Sequence, residues 1–148
     1  MTTTTASPIR IAFVCVQNAG RSQMSTAFAE RERSDRGLDD AVEITTGGTH
    51  PADAVHEEAI DAMDEIGVDL SDRTPQAVTT AELDACDVVA TMGCSTLALD
   101  TDVDVRDWDL PDPDGKPMAE VREIRAEIEA RVEALFDELE TRLAERQD

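Results

Sequence analysis

The sequence predicts an α/β fold: a single domain with about four parallel strands flanked by helices. Three observations carry that expectation. Short apolar, β-leaning runs alternate with longer segments of helical pattern, as when crossover helices join parallel strands. The 148 residues make one domain, large enough for a proper core. Hydrophobic content is 41%, within the globular range, and no apolar run is long enough to span a membrane.

The elements follow in order. Met1–Ser7 is Thr-rich, with no charged side chain, and reads as a disordered tail. It lacks the basic start and apolar centre of a secretion signal. The domain then occupies 8–148. Ile9–Val14 is a buried strand, and a helix runs from Arg21 to about Arg33 with Met24, Phe28 and the alanines inward. Ala41–Thr46 is a second strand, followed by turn signals at Gly47-Gly48. A helix from about Ala52 to Ile66 ends at Gly67. Asp87–Met92 is the third strand and Val103–Trp108 a weaker fourth. Gly115 and Pro117 precede the last helix, where Val121, Ile124, Ile128, Val132, Leu135, Leu139 and Leu143 recur every three or four residues. That stripe is core. Helices are expected on both faces of the sheet.

Ligands of parallel sheets sit at the carboxyl ends of the strands. Cys15 falls there, Cys94 follows the third strand, and Asp112 follows the fourth. The run from Cys15 to Ser22 is Cys-Val-Gln-Asn-Ala-Gly-Arg-Ser, entering a helix. Such a loop gathers unpaired N–H groups of Val16, Gln17, Asn18, Ala19, Gly20, Arg21 and Ser22 around an oxyanion. The positive helix end favours the thiolate, the reactive form of Cys15. Ser22 can donate a hydrogen bond to the sulfur. Gly20 permits close approach. Arg21 offers a planar fork of donors for a tetrahedral oxyanion. A nucleotide-binding loop would carry a lysine in this place, and none is here. As a mere core cysteine, Cys15 would leave Gly20, Arg21 and Ser22 without a role.

These residues resemble the C-x5-R-S signature of the low-molecular-weight protein tyrosine phosphatase superfamily. Phe13–Met24 is most similar to its arsenate reductase branch. Thr46-Gly47-Gly48-Thr49-His50-Pro51, Thr91-Met92-Gly93-Cys94 and Asp107-Trp108-Asp109-Leu110-Pro111-Asp112-Pro113 resemble further blocks of that branch. The likeness runs from about Ile9 into the last helix. It implies a low-molecular-weight phosphatase-like fold, with Cys15 as nucleophile, Arg21 on the oxyanion and Asp112, in its Asp-Pro step, as the acid. By position it also gives Asn18 the shaping of the loop. Proline biases Asp112 toward extended backbone, whereas Asp107, Asp109 and Asp114 are its acidic neighbours. Taken alone, the stretch is an acidic turn.

The resemblance implies reduction of arsenate through a thiol–arsenic adduct on Cys15. Cys94 stands where the first relay cysteine belongs. The second relay cysteine is missing, Ala98 lying about where it should be. Regeneration then falls to Cys94 with a thioredoxin- or glutaredoxin-like protein, or to a small external thiol. The alternative is a phosphatase acting through a phosphocysteine on phosphotyrosine or a small phosphomonoester. An aromatic residue usually follows the Asp-Pro step in the phosphatases; here Asp114 does, and the chain has no tyrosine. Cys86 reads as structural, His50 as a turn residue, and Trp108 as either pocket wall or core.

Net charge is −21, and Lys116 is the only lysine. Such a surface repels nucleic acid and anionic lipid. It suits high salt, where ions screen self-repulsion, so a halophilic host is expected. Three cysteines without zinc-site spacing indicate a reducing cytoplasm, no metal and no bound cofactor. A monomer is expected.

Overall fold

The computed structural model describes residues 8–92, 103–113 and 115–146. The expected N-terminal tail, Cys94 with its block beyond Met92, and Asp114 lie outside them.

Four parallel strands form one sheet in the order β2-β1-β3-β4. They are β1 (Ile9–Cys15), β2 (Val42–Gly48), β3 (Val88–Met92) and β4 (Asp104–Asp107). The helices are α1 (Arg21–Asp35), α2 (Glu57–Asp64), α3 (Thr80–Asp84) and α4 (Met118–Arg146). β1 is central, and β3 is buried along its whole length. That accounts for their near-continuous apolar runs.

Alternation along β1 divides the core. Ile9, Ile11, Phe13 and Cys15 face the larger cluster with Met24 and Phe28 of α1, Met63 of α2 and the inner stripe of α4. Ala12 and Val14 face the smaller one with Leu83 of α3, Cys86, Val89 and Val103. Helices thus flank both faces, unequally. The expected α4 stripe is buried from Val121 to Leu139, with Phe136 added and Leu143 half-buried. Trp108 packs on Phe13, ring centroids 5.8 Å apart, so it is core. Cys86 is buried on the face opposite Cys15. Burial, then the neighbouring Asp87, raises its pKa, in line with a structural thiol.

Three local expectations change. The second helix begins at Glu57, not near Ala52, because the preceding residues commit their N–H groups elsewhere: Thr49, His50, Ala52 and His56 donate to Cys15, Val16, Gln17 and Ala19 carbonyls at 2.7–3.3 Å. α2 stops at Asp64, and Gly67 follows with φ +80°. Gly47-Gly48 is not a turn but the end of β2, paired with Val14 and Cys15. A Cβ on Gly48 would lie 2.6 Å from the Val16 carbonyl oxygen, so only glycine lets β2 lie against the loop. α3 was unexpected, although Thr79 and Glu82 form a capping box legible in the sequence.

Candidate active site

The Cys15 loop closes onto α1 without a side-chain cap. Gly20 precedes the helix, and no acidic residue occupies its first turn. The first-turn amides and the positive helix end are therefore left for an anion. The loop's carbonyls are bonded to the 49–56 segment, so what it offers a ligand is amides.

Asn18 sets the loop's shape. Its φ is +52°, a left-handed conformation asparagine tolerates better than most residues. Its side chain is fully buried and fully used. The Gln76 backbone N–H donates to Asn18 Oδ1 at 3.0 Å, as does Gln23 Nε2. A backbone N–H can only donate, which fixes the Asn18 amide. Nδ2 then donates to Ser22 Oγ at 2.7 Å and Thr46 Oγ1 at 2.9 Å, and Thr46 passes its proton to the Phe13 carbonyl. Ser22 Oγ, which accepts from Asn18, is also in hydrogen-bond contact with Cys15 Sγ, 2.9 Å away. The Asn18 backbone N–H approaches the same sulfur at 3.2 Å. Both contacts converge on the sulfur, the atom that would attack. The expected shaping role of Asn18 has this geometry, and Ser22 lies within hydrogen-bond reach of the sulfur. Thr46, Gln23 and Gln76 complete it, roles with no signal in the sequence.

Above the loop, Arg21 Nη1 donates to the Leu110 carbonyl at 2.9 Å, and Nη2 lies 3.8 Å from Asp112 Oδ2. The Arg21 side chain is 11% exposed and that of Asp112 is 52% exposed. The acid loop has a second anchor. Glu58 Oε2, in the first turn of α2, accepts the Gly115 N–H at 2.7 Å. Backbone hydrogen bonds, first its own and then that from Gly115, lower the Glu58 pKa below the usual carboxylate value. The Lys116 N–H closes the turn onto the Pro113 carbonyl at 3.1 Å.

These parts enclose a cavity of about 250 Å³ lined by Cys15, Val16, Gln17, Ala19, Gly20, Arg21, His56 and Asp112. Cys15, Arg21 and Asp112 converge as the sequence predicts; Cys94 lies outside the described residues. His50 is exposed in its turn. His56 was not foreseen, since an isolated histidine before a helix gives no signal. Its N–H binds the Ala19 carbonyl at 2.8 Å, and its Nδ1 is buried without a partner among the described residues. A Cβ on Gly20 would lie 3.0 Å from Pro113 Cγ and 3.6 Å from that Nδ1. Glycine at position 20 thus gives Pro113 room, while the His56 ring lies at ordinary contact distance. Among the described residues, no three His, Cys, Asp or Glu side chains are placed to hold a metal ion.

A thiol facing amide donors, a guanidinium and a carboxyl is equipped for attack on a tetrahedral oxyanion with proton delivery to the leaving oxygen. Comparisons agree with that chemistry. Residues 10–145 match the family model of low molecular weight phosphotyrosine protein phosphatase. A Halobacterium salinarum protein named "Putative arsenate reductase" is 68% identical over 133 residues, 89% of this chain and 94% of its own length. The glutaredoxin arsenate reductase of Synechocystis is 32% identical, covering 86% of this chain and 95% of its own. The solved thioredoxin-dependent arsenate reductase of Corynebacterium glutamicum superposes with a TM-score of 0.75 at 31% identity. That match covers 92% of this chain, which spans 64% of that one.

Proposed function

The chain belongs to the low molecular weight phosphotyrosine protein phosphatase family, and from that premise we propose that it reduces arsenate to arsenite. The observation that carries the reading is the cavity itself: a thiol at its floor, donors around it and, among the described residues, no Phe or Trp in its lining to stack on an aryl ring. The names of its relatives support arsenate as the oxyanion.

Cys15 is the nucleophile. Its sulfur bonds to arsenic while one arsenate oxygen leaves as water, and Asp112 supplies the proton. The Arg21 side chain and the amides of Val16, Gln17, Ala19, Gly20 and Arg21, which line the cavity, hold the remaining oxygens, whereas Asn18 and Ser22, expected among them, lie behind the loop against the sulfur. In the free site Arg21 faces the Asp112 carboxylate; a bound oxyanion takes up that positive charge and sets a negative neighbour beside it. A second thiol then attacks Cys15 sulfur, the sulfur–arsenic electron pair stays on arsenic, and arsenite departs. Two thiols have supplied two electrons and become a disulfide. The second thiol is Cys94, reduced afterwards by a thioredoxin- or glutaredoxin-like protein, or it is an external small thiol. The setting is the reducing cytoplasm. High salt is the working medium, and a relative from Halobacterium salinarum is in keeping with it.

Single-turnover incubation of the reduced protein with arsenate in high salt, followed by mass spectrometry of its cysteines, tests this. Arsenite released with a Cys15–Cys94 disulfide supports the internal resolving thiol. Arsenite that requires an added thiol keeps the reductase and removes Cys94. No arsenite under either condition, with steady hydrolysis of an aryl phosphate, makes the protein a phosphatase.

A further inference from the structure

His56 stands half-buried in the cavity wall, two residues from Glu58, whose carboxylate its ring influences electrostatically. The ring lines the same cavity as Cys15, Arg21 and Asp112. Its Nδ1 is cut off from solvent and has no partner among the described residues. The backbone sets the residue in place through the bond to the Ala19 carbonyl. The loop at Gly20 lies beside the ring. Two residues on, Glu58 grips the acid loop through Gly115. The imidazole is thereby held at the junction of nest and acid loop. A buried ring nitrogen with no partner among the described residues calls for a partner from outside. In a cradle of amides and a guanidinium, that partner is an anion, and imidazole meets an anion with an N–H.

We propose that His56 is a further binding residue for the tetrahedral oxyanion, donating a ring N–H to one of its oxygens. The proposal rests on the reading of this cavity as an oxyanion site. It adds a side-chain donor to Arg21 and favours small inorganic oxyanions, whose oxygens can meet both walls at once.

Inorganic phosphate is the probe, because binding is then read without any redox step. Its Kd is measured by calorimetry on the full chain in high salt under reducing conditions. His56→Ala and His56→Leu, which remove the donor while leaving the backbone bond, should each weaken phosphate binding about tenfold. His56→Asn or His56→Gln, which restores an N–H near one ring nitrogen or the other, should return it to within about threefold of the parent. Unchanged affinity in the donor-less variants overturns the proposal and leaves the oxyanion site standing. A loss that neither amide restores assigns the effect to packing and also overturns it. A parent protein that binds no phosphate overturns the oxyanion reading itself, and this inference with it.

Discussion

The loop from Cys15 to Ser22 is held by neutral partners, whereas the loop from Leu110 to Pro113 is held largely by charges. Around the first, amides and hydroxyls of Asn18, Gln23, Thr46 and Gln76 form a chain centred on the buried Asn18 side chain, whose orientation the Gln76 N–H fixes. At the second, Arg21 faces a half-exposed aspartate across 3.8 Å, and ionised Glu58 holds the Gly115 N–H. Buried neutral networks are stiff and costly to break. Exposed charge contacts are weak and easily exchanged. The binding half is therefore prebuilt. The proton-delivering half stays adjustable, as it must if Arg21 is to exchange Asp112 for an oxyanion.

Substitutions can break that contrast. The largest effect on turnover comes from Cys15→Ser, which should abolish arsenite formation while leaving the thermal melt in place. Asp112→Asn should slow turnover by ~10²–10⁴-fold and spare phosphate affinity, since it removes a proton and not a donor to the anion. Asn18→Ala should lower both turnover and stability. It leaves the Gln76 N–H and the Thr46 and Ser22 hydroxyls short of partners, a loss of about 2–4 kcal/mol in chemical denaturation. An Asn18 variant as stable as its parent would show that the neutral network does not hold the loop. Glu58→Gln should act least, changing turnover by less than about tenfold without moving the melt. The sign of its pH dependence follows from the depressed pKa. The anchor is complete above the ordinary glutamate value of 4.5 and is lost as pH falls through the lower folded value.

Electrostatics beyond the site adds a further expectation. Every arginine whose side chain is described lies in an ion pair. Arg122 and Arg125 of α4, for example, converge on Glu65 and hold its pKa down to about 2. The remaining carboxylates have few cations to meet, and the net charge of −21 is left to salt. Circular-dichroism melts should fall as salt is withdrawn; an unchanged melt in dilute buffer would exclude the high-salt adaptation.

What was legible in the sequence is what is local. β1, the Cys15–Ser22 run and α1 form one contiguous stretch, so spacing alone places thiol, guanidinium and helix end together. The α4 stripe repeats often enough to read itself. Thr46, Gln76 and His56 reach the site from other elements through single hydrogen bonds or a ring edge, and no periodicity marks such contacts. The start of α2 was misplaced because tertiary hydrogen bonds to the loop outweighed local helical pattern over 52–56. Gly47-Gly48 shows the same limit. Glycine was read as a turn signal, although here it keeps a strand close enough for another backbone to lie against it. α3 is short, and its capping box was the one signal available.

Lys116 sits where the acid loop gives way to α4, its backbone bonded to Pro113. It carries the chain's single side-chain amine. An amine-directed dye would therefore mark one side chain, beside the segment that carries Asp112. The halophile-like scarcity of lysine thus supplies an optical probe of loop motion without any engineered cysteine. The thiols stay free for the chemistry under observation.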